Sequence, residues 1–166
     1  MPHSKKSTRF VVDAMLGSLA RKLRILGFDT EYYREGDDVG LMRLAKKDRR
    51  IILTSDESLH TRALSAGLLS LFLTGKTDRS RVSVLLRSAK ESGIPIVRGD
   101  SLCSICGSQL ISIVPEALEG RLPSQVLLRH RVFLSCADCN KVYWKGSHWK
   151  RLRALERSFA RRRTER

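Results

Sequence analysis

Two sets of residues in this 166-residue sequence have the types and spacing required for metal chemistry. The first set is acidic: Asp13, Asp38 and Asp56 each lie where an apolar run gives way to a helical pattern. The second set consists of two Cys-x-x-Cys pairs, at 103–106 and 136–139. Carboxylate oxygens select hard ions such as Mg²⁺ or Mn²⁺, whereas four thiolates select Zn²⁺. The sequence therefore predicts two metal sites of different chemistry.

The cysteine pairs have the spacing of zinc knuckles. Cys103, Cys106, Cys136 and Cys139 are predicted to hold Zn²⁺ tetrahedrally. Metal binding at such sites contributes about 10–16 kcal/mol in isolated peptides, which a segment this small needs in order to fold. Four thiolates leave no open coordination position, so this zinc is expected to be structural. His148 is a less favoured alternative ligand, because four cysteines are already present.

The elements that must position the acids follow from hydrophobic periodicity. Up to residue 97, continuous apolar runs alternate with helical patterns, which is typical of a parallel sheet with helices on both faces. The predicted strands are 9–12, 28–33, 50–54 and 68–73, with a short edge strand at 94–97. Helices are predicted at about 16–26, about 58–65 and about 77–92. A further helix is predicted to begin at 36–38. In the first helix, Arg21, Lys22 and Arg24 are expected opposite the apolar stripe.

The order of these elements brings the acids together. Because the carboxyl ends of parallel strands meet at one edge of the sheet, Asp13, Asp38 and Asp56 are expected to converge. Two unpaired carboxylates about 4 Å apart repel by about 4 kcal/mol at an effective dielectric constant of about 20. We therefore expect Mg²⁺ or Mn²⁺ to hold them and to activate a water for attack on phosphorus. Thr54 or Ser55 is predicted to orient that water or the substrate.

Each acid also has a purely structural interpretation. Asp13, Asp38 and Asp56 could each cap the helix that follows, since Asp is a preferred N-cap residue. Asp37 is interpreted as a solvated neighbour of Asp38. Asp78 could be a fourth Mg²⁺ or Mn²⁺ ligand, but a negative charge at a helix N-terminus is the favoured interpretation. The functional interpretation depends on the first three acids acting together.

The charge of the chain indicates a polyanionic partner. The net charge is +15, and residues 98–166 carry 14 Lys and Arg against 6 Asp and Glu. This excess favours RNA, with a ribosome or ribonucleoprotein as a possible assembly. Aromatic and cationic residues alternate near the second cysteine pair, where base stacking or internal packing could explain the aromatics. The predicted RNA contacts are Lys145, His148, Trp149 and Arg151.

Four stretches of the chain also resemble a known family. They are FVVDAMLGSLARKLRILGFDT, DDVGLMRLA, IILTSDESL and YWKGSHW. Together they resemble the Mut-seven C-terminal ribonuclease domain family, a branch of the PIN-like nucleases with a zinc ribbon attached. The resemblance implies a metal-dependent ribonuclease on an α/β/α sandwich, with acidic roles for Asp13, Asp38, Asp56 and Asp78. One departure is Ser55, where the family commonly has Arg.

We therefore predict a PIN-like three-layer α/β domain at 1–97, a zinc ribbon at 98–149 and a basic helical tail at 150–166. The predicted function is that of a metal-dependent endoribonuclease. The alternatives are a non-catalytic RNA- or ribosome-binding protein with a vestigial acidic site and a toxin-type nuclease with an inhibitor partner. No apolar run approaches the roughly 18 residues of a membrane span, so a cytoplasmic, reducing location is expected. The sequence does not determine the oligomeric state.

Overall fold

The computed structural model of the chain describes residues 7–146 and residue 157. These residues form a four-stranded parallel sheet and a three-stranded antiparallel sheet, which confirms the predicted mixed α/β fold with a parallel central sheet. The strands are β1 (Arg9–Val12), β2 (Asp29–Tyr32), β3 (Ile51–Thr54), β4 (Ser70–Phe72), β5 (Leu110–Ile113), β6 (Phe133–Cys136) and β7 (Val142–Trp144). The α-helices are α1 (Gly17–Ile25), α2 (Asp38–Asp48), α3 (Glu57–Ser65), α4 (Asp78–Glu91) and α5 (Ser124–Arg129). Short 3-10 helices cover Ala14–Leu16 and Pro115–Leu118.

The strand order of the parallel sheet creates a crevice at its centre. The order is β2-β1-β3-β4, and β1 is hydrogen-bonded to both β2 and β3. The chain leaves β1 towards one edge of the sheet and leaves β3 towards the other. In open α/β sheets, a ligand crevice forms at such a reversal, outside the carboxyl ends of the two strands. Asp13 follows β1 and Asp56 lies two residues after β3, so both acids lie at this point.

Each face of the parallel sheet has its own hydrophobic core. Phe10 and Val12 pack in one cluster with the apolar residues of α1 and α4. Val11 and Ile52 pack in a second cluster with α2 and α3. Successive residues of a strand point to opposite faces, which explains why consecutive residues of β1 enter different clusters. Continuous apolar strands were the sequence signal for this arrangement, and all three of these β1 residues are fully buried.

The predicted edge strand at 94–97 is wrong, because these residues, all in the described part of the chain, form no strand. They are nevertheless attached to the start of β1. The backbone N–H of Thr8 donates to the carbonyl of Val97 at 2.8 Å, and the Thr8 hydroxyl donates to the carbonyl of Pro95 at 3.0 Å. Pro95 has no N–H to contribute to a ladder, so a side chain replaces part of the backbone pairing.

Arg24, which was predicted to lie opposite the apolar stripe of α1, is buried, with only 4% of its surface exposed. The reason is that the segment following residue 98 returns to cover this part of α1. The backbone N–H of Leu102 donates to the carbonyl of Arg24 at 2.9 Å. A helix face that appears solvated in the sequence is therefore covered by a distant part of the same chain.

The C-terminal sheet has the order β5-β6-β7 and is antiparallel throughout. The long connection between β5 and β6 contains the second 3-10 helix and α5, and Leu118 anchors it as a fully buried residue. Within the described residues, no helix combines the length and apolarity that a bilayer crossing requires. The predicted contacts His148, Trp149 and Arg151 lie outside the described residues, as does the predicted basic tail apart from Arg157.

Candidate functional site in the acidic cavity and the cysteine cluster

A cavity of about 180 Å³ lies at the carboxyl ends of the central strands. Asp13, Asp38 and Asp56, the three acids predicted to converge, all line it. Asp37 and Tyr33 line it as well, although neither was predicted as a site residue. Four carboxylates around one small cavity create a negative potential that favours a cation.

Asp13 is the most deeply buried of these acids, with 6% of its surface exposed. It caps the 3-10 helix after β1, because its Oδ1 accepts a hydrogen bond from the backbone N–H of Met15 at 2.8 Å. Its Oδ2 accepts a hydrogen bond from the hydroxyl of Thr54, a fully buried residue at the end of β3. Asp13 is therefore a helix cap, as its structural interpretation predicted. It also lines the cavity, so the capping role does not exclude a role in the site.

Thr54 also connects Asp13 to Asp56. The backbone N–H of Asp56 donates to the Thr54 hydroxyl oxygen at 2.9 Å, and Asp56 caps α3 by accepting from the N–H of Leu59 at 3.1 Å. One buried hydroxyl thus holds the acid after β1 and the acid after β3 in a common arrangement. The Ser55 side chain takes no part in this bridge, since its hydroxyl donates to the carbonyl of Leu73 at 2.7 Å.

Asp38 reaches the cavity from α2, but its carboxylate forms an ion pair with Arg62 of α3. Asp38 is the first residue of α2, and the N-cap is Asp37. Asp37 Oδ1 accepts from the N–H of Gly40 at 2.5 Å. The interpretation of Asp37 as a merely solvated neighbour is therefore incomplete. The two consecutive aspartates at 37 and 38 left either one as the cap, since Asp is a preferred N-cap residue.

Tyr33 gives Asp37 an unusual electrostatic environment. The Tyr33 hydroxyl donates to Asp37 Oδ2 at 2.5 Å and lies 3.0 Å from Glu35 Oε2. The hydrogen bond from Tyr33 lowers the pKa of Asp37, and the N–H of Gly40 lowers it further. In turn, the bond to Asp37 raises the pKa of Tyr33 above its ordinary value. Asp37 is thus held ionised at the mouth of the cavity.

Asp78 does not line this cavity. It lies in the first turn of α4, where it pairs with Lys22 of α1 and accepts a hydrogen bond from the Ser18 hydroxyl at 2.8 Å. Arg81 Nη1 lies 3.5 Å from its other oxygen. Burial alone would raise the pKa of Asp78, but the bonds from Lys22 and Ser18 lower it below its ordinary value. These contacts agree with the structural interpretation of this residue.

The acids are not assembled tightly enough to count as a formed metal site. Among the described residues, only the four cysteines form a group of three or more potential ligands whose donor atoms all lie within 4.8 Å of one another. The carboxylate oxygens of the cavity are held instead by Thr54, by backbone N–H groups and by Arg62. Asp38 Oδ2 is paired with Arg62, so a cation that bound this oxygen would compete with the ion pair.

The cysteine cluster, in contrast, has the dimensions of a metal site. The sulfurs of Cys103 and Cys139 are 3.5 Å apart, and those of Cys106 and Cys136 are 3.3 Å apart. These separations are far longer than a disulfide of about 2.05 Å and approach the ~3.8 Å expected for sulfurs about 2.3 Å from a tetrahedral Zn²⁺. The four cysteines could therefore hold a metal ion such as zinc.

Neighbouring groups act differently on the cysteines: donors favour the thiolate of Cys103, whereas at Cys139 the backbone of Lys141 lowers the pKa but burial and the other sulfurs raise it to about 12. The Tyr143 hydroxyl lies 3.1 Å from the sulfur of Cys103 and accepts from the N–H of Ser104 at 3.1 Å. Burial acts to raise the pKa of Cys103, but hydrogen bonds from the backbone of Cys106 and from Tyr143 lower it to about 6. A thiol that loses its proton readily is a better ligand, because the thiolate is the form that binds metal.

Comparison with known proteins identifies one family. The model of the family described as Mut7-C RNAse domain matches residues 8–155 of the chain. This range includes the acidic cavity, the antiparallel sheet and all four cysteines. Neither the curated proteins nor the solved structures contain a match to the chain.

Proposed function

Because the chain belongs to the Mut7-C RNAse domain family, we propose that it is a metal-dependent endoribonuclease whose active site is the acidic cavity. The observation that carries this proposal is the meeting of Asp13, Asp38 and Asp56, from three separate parts of the sequence, around one cavity at the reversal of strand order. In the same proposal, the sheet domain is a PIN-like three-layer structure spanning residues 1–97, followed by a zinc ribbon at 98–149.

The donor set suits Mg²⁺ or Mn²⁺. All the candidate ligands are carboxylate oxygens, which hard divalent ions prefer. A bound ion of this kind would lower the pKa of a water and neutralise charge that develops on a phosphodiester. The Thr54 hydroxyl bonds a carboxylate oxygen of Asp13 and the backbone N–H of Asp56, which keeps both residues beside the cavity where they would act as ligands.

The chain's own residues prepare the site for this chemistry. The buried hydroxyl of Thr54 fixes one oxygen of Asp13, which leaves that carboxylate little freedom to turn away from the cavity. Asp56 is exposed beside it and can accept a proton from a water that approaches from solvent. Arg62 pairs with Asp38, and its guanidinium would be a suitable contact for a substrate phosphate. These roles require no large change in the backbone.

The proposed substrate is RNA in an accessible, single-stranded form. The net charge of +15 favours a polyanion, and Lys145, His148, Trp149 and Arg151 are proposed to contact it. Lys145 follows β7 at the end of the antiparallel sheet, next to Trp144, which is 37% exposed. Aromatic rings and cations in this combination stack on unpaired bases and neutralise phosphates. Binding should therefore weaken as salt concentration rises.

The non-catalytic alternative also has a specific observation in its favour. Among the described residues, the carboxylates of the cavity do not form a compact ligand group, and Asp38 is already neutralised by Arg62. A protein that binds RNA through its basic surface, with a vestigial acidic cavity, would have the same charge distribution. RNA binding alone cannot separate the two proposals, whereas metal-dependent cleavage can.

The decisive experiment measures cleavage of single-stranded RNA during a Mn²⁺ titration, with EDTA as the metal-free control. The Asp13→Asn and Asp56→Asn proteins should fold, because the Asn oxygen keeps each helix cap and, at position 13, the Asn NH2 group can donate to the Thr54 hydroxyl oxygen. Cleavage should nevertheless fall by about 100-fold or more. Asp100→Asn is the matched control, since Asp100 does not line the cavity. Undiminished cleavage in both cavity variants would refute the proposal, and RNA binding without cleavage by the unmodified protein would favour the alternative.

A further inference from the structure

The buried guanidinium of Arg24 bridges the two sheets of the molecule. Its Nε donates to the carbonyl of Thr30 at 2.7 Å, within the parallel-sheet domain. Its Nη1 donates to the carbonyl of Ile105 at 2.7 Å and lies 3.3 Å from the carbonyl of Ser104. Ser104 and Ile105 are the two residues between Cys103 and Cys106. A cation from α1 thus holds the loop of the first cysteine pair from outside the cluster.

The backbone around Arg24 is joined to the same segment. The carbonyl of Arg24 accepts from the N–H of Leu102 at 2.9 Å, and the carbonyl of Gly27 accepts from the N–H of Gly99 at 2.8 Å. Gly27 has a φ of +90°, and a Cβ at this position would collide with the carbonyl oxygen of Gly99. The end of α1 and the approach to the first cysteine pair are therefore in direct contact over several residues.

A buried cation requires charge compensation, because removing it from water is unfavourable. The hydrogen-bond partners of Arg24 are neutral carbonyls, which satisfy its N–H groups but not its charge. Burial lowers the pKa of Arg24, whereas Glu31 and the nearby Cys106 and Cys103 act to raise it, against a small opposing effect of Arg34. Four thiolates around Zn²⁺ keep a net negative charge, and the guanidinium of Arg24 offsets part of it.

We propose that the zinc site of this protein is completed by Arg24, so that metal binding in the ribbon and docking of the ribbon on α1 form one coupled equilibrium. Arg24 is not a ligand; it orients the loop that carries Cys103 and Cys106 and compensates the charge of the cluster. Outer residues of this kind tune metal affinity by orienting ligands. Coupling between two events is reciprocal, so zinc also holds α1 and the segment after it against the ribbon.

The first arm of the test measures zinc affinity by competition with a chelator under reducing conditions. Arg24→Met keeps the length of the side chain but removes its charge and its donors, and should weaken zinc binding by about 10-fold or more. Arg21→Met is the matched control, because Arg21 is an exposed residue of the same helix, and its zinc affinity should equal that of the unmodified protein. Equal affinity in Arg24→Met and Arg21→Met would overturn the proposal.

The second arm uses the unmodified protein, so it does not depend on whether Arg24→Met folds. Amide hydrogen exchange is measured with zinc bound and after its removal by the chelator. Removal should accelerate exchange by about 10-fold or more at residues 22–30, on the Arg24 side of the contact, while α3 on the opposite face of the sheet is unchanged. If zinc removal affects exchange only within residues 103–146, the ribbon folds independently and the proposal fails. Neither arm depends on nuclease activity.

Discussion

The acidic cavity and the cysteine cluster differ in how their potential ligands are held. The four sulfurs lie within 4.8 Å of one another, and each Cys-x-x-Cys pair is shaped by its own local turn. The carboxylates come from distant strand ends and are engaged with Thr54, Arg62 and backbone N–H groups. A preassembled cluster suits an ion that stays bound. Ligands held by exchangeable partners suit an ion that arrives with substrate and leaves again.

The largest expected effect is the loss of a cysteine. Cys103→Ser should reduce bound zinc from about one ion per chain to almost none, because a tetrahedral site loses most of its affinity with one thiolate. Zinc content can be measured by elemental analysis, and trypsin should then cut residues 98–146 rapidly. The unmodified protein stripped of zinc is the control and should show the same cleavage pattern. If the Cys103→Ser protein retained zinc, the four sulfurs would not act as one preassembled site, and the proposed difference from the acidic cavity would be wrong.

The next effect concerns the hydroxyl that joins two acids of the cavity. Thr54→Val keeps the shape of the side chain but leaves an oxygen of Asp13 and the N–H of Asp56 without their partner. The free energy of unfolding should fall by about 1–3 kcal/mol, and RNA cleavage should fall by about 10-fold or more. Thr54→Ser is the matched control, since it restores the hydroxyl and should recover most of the activity. Normal cleavage by Thr54→Val would show that this bridge does not organise the site.

A smaller effect tests whether Asp78 is structural. Asp78→Asn should lower the free energy of unfolding by about 1 kcal/mol at pH 7 without changing Mn²⁺ affinity, because its partners are Lys22 and Ser18. The pKa of Asp78 is lowered in the folded state, so its contribution is present above its unfolded pKa of about 3.9 and is lost as the pH falls through the folded value. The two proteins should therefore become equally stable in strong acid. A large loss of Mn²⁺ binding would instead restore Asp78 as a ligand.

The smallest effect concerns Arg62, the arginine that forms an ion pair with Asp38. Arg62→Ala frees Asp38 from its ion pair and should raise Mn²⁺ affinity by about 3-fold, since a half-exposed ion pair contributes less than about 1 kcal/mol. Isothermal titration with Mn²⁺ measures this change directly. Arg87→Ala, an exposed arginine of α4, is the control. Weaker Mn²⁺ binding in Arg62→Ala would mean that the ion pair supports the site instead of competing with it.

Much of the parallel sheet could be predicted from local pattern. The four principal strands and the four helices between and after them lie within a few residues of their predicted ranges, because buried strands and amphipathic helices have distinct hydrophobic periods. The edge strand at 94–97 was wrong because Pro95 removes a ladder donor and Thr8 supplies a side-chain contact instead. The contents of the β5–β6 connection were not predicted, since a short 3-10 helix and a six-residue helix have little periodicity.

The sequence by itself determined which potential ligands this protein has: thiolates at knuckle spacing, and carboxylates that follow parallel strands or open the next helix, near the edge where the strand ends meet. Tertiary structure alone decided the partners of those groups. Arg24 is buried beside the cysteine loop, Asp38 is paired with Arg62, and Asp78 is paired with Lys22. Each of these groups is 24 to 81 residues away from its partner along the chain. Local periodicity reports which face of an element is apolar, but it carries no information about which distant charge will meet it.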